Sequence, residues 1–281
     1  MRTRYWRPHE GALVLPALVF YLAFYVVPLA QIFDWSLFAP HLTGKFYVQL
    51  FDDLAYVKAL RNTIDISLLT TIIALLLGYP LAYLMVSSSA RASRILMLLV
   101  LIPFWTSILV RSFAWIVILG NNGVVNRVLM ASGLVGRPVA LLFNMTGVQI
   151  GMVHVLLPFM VLPLYSAMRG IDRNVLQVAR SLGASPVRAF AGVFLPLSLP
   201  GVGAGCVLVF LLSVGFYITP AMLGGPGQIT LATMIDLMVN TLLNWGFAAT
   251  LGVVLLLTVG IIFALFSTLM GTSRMMRPGG A

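Results

Sequence analysis

Charge is what this chain most lacks. Charged residues are 9% of its 281 positions, against roughly 25% in an average soluble domain. Apolar residues reach 60%, and the mean hydropathy is +1.04. A soluble globule could not hide that much apolar surface and still cover itself with polar groups. This argues against a cytosolic enzyme, a disordered chain and a nucleic-acid module. The single cysteine, Cys206, lies inside an apolar run, so no disulfide framework can form within the chain. It reads as a small buried hydrophobe. Catalytic and nucleotide-binding patterns are missing as well. The three histidines, His9, His41 and His154, are far apart, and no G-x-S-x-G elbow occurs. The nearest approach to a phosphate loop, at Gly44-Lys45, has Ala39 and Phe46 at two required positions. No metal-binding or catalytic residue set is expected.

What is present is a series of apolar runs of spanning length, which is about 20 residues. Six are expected as membrane spans: 11–33, 66–87, 95–119, 141–168, 201–223 and 246–270. The first follows Arg2, Arg4 and Arg7 but is far longer than the h-region of a signal peptide, so it reads as a retained helix. Six crossings put both termini on one side. The termini and the connections 88–94 and 169–200 carry 11 Lys and Arg, and the other three connections carry five. The positive-inside rule then makes both termini cytoplasmic. The fold class is all-α: one polytopic membrane domain over 1–281, with no internal repeat.

Carboxylates are absent from all six expected spans. Ion-coupled carriers commonly place Asp, Glu or His within the bilayer. Their absence disfavours a self-powered carrier and points to energy supplied by another subunit. His154 reads as a hydrogen-bonded histidine between helices. Arg111 lies 16 residues beyond Ile95, about 24 Å along a straight helix, which would put it in the outer bilayer. Snorkelling, a structural ion pair and substrate contact are its three readings. Pro220 crowds the carbonyl four residues back, so the fifth span should bend near Gly215 and bring Tyr217 and Thr219 to a path. Outside, Leu231, Met234, Ile235, Met238 and Leu242 repeat at helical spacing, with Asp236 among them. They form an amphipathic helix suited to a delivery protein.

The longest inner connection, 169–200, carries the strongest pattern. Ile171, Val175, Val178 and Leu182 fall on one helical face. Gly183 follows, suited to end a helix with positive φ. Ser185 suits an N-cap and Pro186 the first helical position. Val187, Phe190, Val193 and Phe194 continue as a second apolar face, and Pro196 and Pro200 bracket the return to the membrane. The connection reads as helix, glycine turn, helix. Either it is an interfacial hairpin, or it transmits force as a rigid body.

These residues resemble the EAA loop of binding-protein-dependent ABC importer permeases, E-A-A-x3-G-x9-I-x-L-P. Here Gln177-Val178-Ala179 is followed after three residues by Gly183, and after nine more by Val193-Phe194-Leu195-Pro196. The spacing matches throughout, with Gln177 in place of the acidic residue. Pro103-Phe104-Trp105-Thr106, Gly78-Tyr79-Pro80-Leu81-Ala82-Tyr83 and the stretch from Gly215 to Pro226 resemble the spermidine/putrescine-type permeases. Phe216 stands where polyamine permeases of this group often carry Asp. The resemblance implies a type I importer (MetI-like) fold. It also implies a partner ATPase dimer that binds ATP and Mg, a second permease subunit, a periplasmic solute-binding protein and a bacterial inner-membrane location. It assigns ATPase coupling to Gln177, Ala179, Arg180, Gly183, Ala184, Leu195 and Pro196. Arg111, Tyr217, Thr219 and Pro220 are the expected path residues, for a polyamine-type or amino-acid-like solute. The competing reading is a self-contained secondary transporter or channel.

Overall fold

The computed structural model describes residues 14–38 and 41–269. The start of the expected first span, both chain termini and Met270 lie outside the described residues. The described chain is helical, and an isolated bridge between Phe38 and Leu42 is its one β contact. Twelve helices follow in order. They are α1 (Leu15–Leu37), α2 (Lys45–Asp52), α3 (Leu54–Ser87), α4 (Ala90–Leu101), α5 (Ile108–Leu119) and α6 (Val124–Ala131). Then come α7 (Met145–Arg169), α8 (Arg173–Ser181), α9 (Pro186–Val214), α10 (Ile218–Leu223), α11 (Leu231–Thr241) and α12 (Trp245–Leu269). Six stretches are long and apolar enough to cross a membrane.

Two of the expected runs divide, and the helix that holds the second, α3, starts twelve residues earlier, at Leu54. The third run, 95–119, is not one helix. α4 stops at Leu101, a 3-10 turn covers Ile102–Trp105, and α5 begins at Ile108. Pro103 fixes the start of that turn, and Thr106 caps it by donating to the Pro103 carbonyl at 3.0 Å. The apolar stretch of crossing length is instead Ile108–Ala131, interrupted by a turn after Leu119. The fifth run also divides. α9 starts earlier, at Pro186, and ends at Val214. After Gly215 a separate short helix, α10, holds Pro220 in its first turn. There the N–H that proline lacks needs no intrahelical partner, so Pro220 starts a new helix rather than bending one.

The core is α3, α7 and α9, packed through small residues. A Cβ added at Gly78 of α3 would lie 2.9 Å from Met160 Cγ, and one at Gly205 of α9 would lie 2.7 Å from its Sδ. Met160, fully buried, thus fills two glycine notches. Between membrane helices, association rests on such close packing and on interhelical hydrogen bonds, since lipid is as apolar as leucine. The bonds are present. Thr70 donates to Gln149 Oε1 at 2.9 Å, and Gln149 Nε2 donates to the Ile66 carbonyl at 3.2 Å. Tyr79 and Ser198 hydroxyls meet at 2.9 Å. Gln149→Leu is expected to cost about 1 kcal/mol, read as a lower thermal midpoint in detergent; an unchanged midpoint would show that the network adds nothing.

A second cluster lies at the other end of α3. Leu231, Met234 and Met238 of α11 are buried with Leu50, Ala59 and Phe247. The amphipathic face of α11 is therefore docked on its own bundle. Asn62 ties the preceding turn down by donating to the Gly227 and Ile229 carbonyls. α1 packs against α12 along its second half only, and its aromatic first half is exposed.

Candidate coupling element and translocation face

Local chemistry accounts for the inner connection residue by residue. Asp172 caps α8, its carboxylate accepting from Asn174 N–H at 2.9 Å. At the far end Gly183 has φ +89°. Its N–H donates to the Arg180 carbonyl and Ala184 N–H to the Ala179 carbonyl, at 3.0 and 3.1 Å. This pair of bonds is the Schellman stop, which needs a residue free to adopt the left-handed region. Ser185 then caps α9 by accepting from Arg188 N–H at 3.3 Å, with Pro186 in the first position.

The second helix, α9, meets α3 through aromatics. Phe190 and Phe194 stack at 5.6 Å, and Tyr83 of α3 stands edge-on to both, at 5.4 and 5.1 Å. Ala189 and Phe194 are buried. Sequence periodicity did not reveal this clamp, because Tyr79 and Tyr83 are more than 100 residues away along the chain. The phrase containing them had marked a family likeness and nothing more.

The apolar stripe of α8 faces outward from the bundle. Val175, Val178 and Leu182 are 43%, 58% and 83% exposed, and Val187 is 75% exposed. Ile171 and Leu176 pack on the core instead. Gln177, Arg180 and Gly183 are exposed, and Ala179 and Ala184 are half-buried. Leu195 and Pro196 are not in the connection. α9 runs without interruption through a π turn at Phe190–Phe194 into Leu195–Val214. Leu195 N–H reaches back five residues to the Phe190 carbonyl, and this wider turn accommodates Pro196 at the next position.

Of the expected path residues, Thr219 and Pro220 are buried. A Cβ at Gly151 of α7 would lie 2.6 Å from Thr219 Cγ2, so Thr219 packs against α7. Tyr217 is partly exposed beside Asp236. That carboxylate, chiefly as a hydrogen-bond acceptor and then with burial, raises the phenol above its ordinary pKa and keeps it neutral. Arg111 lies nearer the middle of α7 than a straight helix from Ile95 would place it. Ser93 meets Tyr165 at 3.2 Å, Phe104 meets Phe159 edge-on at 5.1 Å, and Trp115 donates to His154 Nδ1 at 3.2 Å. Residues 93 to 115 thus advance only 11 positions along α7, about 17 Å. The break after Leu101 consumes residues without rise. Arg111, one turn before Trp115, therefore lies beside the middle of α7. Its Nε is buried with no hydrogen-bond partner among the described residues. An apolar cavity of about 540 Å³ opens beside this group, lined by Trp115, Gln149 and His154 with Leu69 and Ile73 of α3.

A six-crossing helical bundle with a capped helical hairpin between its fourth and fifth crossings is the architecture of an importer permease. The chain belongs to the family of binding-protein-dependent transport system inner membrane components, which it matches over residues 71–274. It is 37% identical over 218 residues to the spermidine/putrescine transport system permease protein PotB of Haemophilus influenzae, covering 78% of this chain and 76% of that one. To PotB of Escherichia coli K12 it is 32% identical over 220 residues, covering 78% and 80%. It also shares its fold with a bacterial alginate ABC transporter solved with an alginate pentasaccharide-bound periplasmic protein. The TM-score there is 0.81 at 19% identity, over 96% of both chains. The fold is therefore the MetI-like importer permease fold, and the chain is a multi-pass membrane transport component rather than an enzyme. Membership of this family sets aside the self-contained carrier.

Proposed function

We propose that the chain forms half of a translocation path, the other half coming from a second, similar permease subunit. α8 and the first turns of α9 dock on a partner ABC ATPase dimer, which holds ATP and Mg; this chain carries no cofactor. A periplasmic binding protein delivers the solute at the face bearing Tyr217, Asp236 and α11. Both termini are cytoplasmic. One observation carries the reading: a rigid, capped hairpin presents Val175, Val178, Leu182 and Val187 to the outside. Exposed apolar patches of this kind mark interaction sites. Two packed helices pass on a displacement, and ATP binding then shifts the path between inward- and outward-facing populations. The solute is of the polyamine type, on the strength of the PotB relatives, with the cation-binding carboxylates on the partner half or the binding protein.

Reconstitution tests this. The chain with its second subunit, ATPase and binding protein should take up labelled spermidine only with ATP inside and binding protein outside. Gradient-driven uptake by the chain alone would overturn the proposal; uptake of an amino acid in place of spermidine would overturn only the solute class. Asp236→Lys is expected to raise the binding-protein concentration needed for half-maximal ATPase stimulation, most strongly at low salt, because rim charges act on encounter. An unchanged concentration would move the delivery face elsewhere.

A further inference from the structure

A second cavity, of about 450 Å³, lies at the other side of α8, between that helix, the C-terminal ends of α3 and α7 and the start of α4. Its lining contains Arg169, Arg180 and Gln177, and also Ser88, Ser93 and Tyr165. No carboxylate lines it among the described residues. Asp172, the nearest acidic residue in sequence, is occupied as the cap of α8, and neither arginine forms an ion pair among the described residues. Arg169 lies over the Tyr165 ring at 5.9 Å, and its Nη1 donates to that hydroxyl at 3.4 Å. The guanidinium is thereby fixed at the rim with donors to spare. Ala90, the first residue of the twelve-residue helix α4, also lines the cavity, so the positive end of that helix lies at its edge. The floor is apolar, built from Met85, Met168 and Phe194.

A basic, hydroxyl-bearing rim over an apolar floor, at the inner ends of spanning helices, matches a phosphate group carried on a hydrocarbon body. We infer that this cavity binds the phosphate headgroup of an anionic phospholipid from the inner leaflet. Such basic pockets between helices at the cytoplasmic side are a recurrent form of lipid recognition. The placement adds a consequence. At about 100° per residue, Leu176, Gln177 and Arg180 lie roughly half a turn around α8 from Val175, Val178 and Leu182. A bound headgroup therefore braces α8 from behind without covering its exposed apolar face. The inference rests on the proposed orientation, which puts this end of the bundle at the cytoplasmic side, and does not depend on what docks on the exposed face of α8.

The test is native mass spectrometry of the full-length chain in detergent, titrated with phosphatidylglycerol or phosphatidylcholine. Phosphatidylglycerol should give a preferential single adduct that survives excess inorganic phosphate. Arg169→Gln should lower its occupancy about fivefold, the value of one basic contact at a charged membrane surface, and Arg169→Lys should retain most of it. Ser93→Phe, which fills the cavity without altering charge, should lower it as well and serves if Arg169→Gln does not fold. Equal binding of the two lipids would overturn the inference, as would occupancy unchanged in the variants. Displacement by inorganic phosphate would assign the site to a soluble anion and equally overturn the lipid.

Discussion

Gly183→Pro is expected to give a permease that inserts and folds but loses ATP-driven transport by more than about tenfold. The reason is local. Gly183 holds φ at +89°, whereas proline is fixed near −65°. The substitution also deletes the N–H that donates to the Arg180 carbonyl at 3.0 Å. The stop of α8 and the register of Ser185 and Pro186 at the start of α9 are lost together. Nothing else packs there: a Cβ at Gly183 meets no atom within 4 Å. The bundle of α3, α7 and α9 should therefore be untouched. Gly183→Ala separates strain from deletion, because it keeps the N–H and incurs only the left-handed penalty of about 1–2 kcal/mol. Its transport should fall between the two. The measurements are co-purification of the ATPase and ATP-dependent uptake in proteoliposomes. Normal retention and uptake by Gly183→Pro would remove the hairpin from the coupling mechanism.

That hairpin was legible in the sequence because its determinants are local. Gly183, Ser185 and Pro186 each act on backbone groups within three residues, and the structure uses all three in that way; the cap at Asp172 is added by the structure. The number of apolar stretches was legible too, since length and composition decide it. The direction of the α8 stripe was not. Periodicity places Val175, Val178 and Leu182 on one face, but whether that face meets the bundle depends on Phe190, Phe194 and Tyr83, which are remote from it in sequence or across the turn. The division of the third run was hidden for a different reason. Pro103 inside an apolar run is compatible with a kink, and only the cap by Thr106 turns it into a stop. Pro220 was misread similarly, as a bend in one helix instead of the start of the next. Thr219 looked like a polar residue available to a path, yet the absence of a side chain at Gly151 lets α10 press it into α7. The α8 and Thr219 outcomes are set by contacts across more than 60 residues, and the division at Pro103 by a cap whose partner is ambiguous in sequence.

Gly201→Leu should be the most damaging substitution for folding. A Cβ at Gly201 would lie 2.5 Å from Ala167 Cβ, 3.0 Å from the Pro163 carbonyl oxygen and 3.3 Å from Leu164 Cα. Two of those three neighbours are backbone, so no rotamer change relieves them. α9 would have to move off α7, opening the contact that also seats Met160 in Gly205. Overpacking of a close-packed interior costs about 1–3 kcal/mol per site, and here the displacement runs along a helix pair that carries much of the core. Gly201→Leu is expected to yield little monodisperse protein on size exclusion in detergent and a strongly lowered thermal midpoint. Gly201→Ala removes the ambiguity of side-chain size, since its Cβ alone meets Ala167. Adding Ala167→Gly should then recover part of the midpoint, and only part, because the Pro163 carbonyl remains. Gly260→Leu is the control: no atom lies within 4 Å of a Cβ there, so its midpoint should stay within measurement error. If Gly201→Leu and Gly260→Leu behaved alike, close backbone approach between α7 and α9 would not be what holds this bundle together.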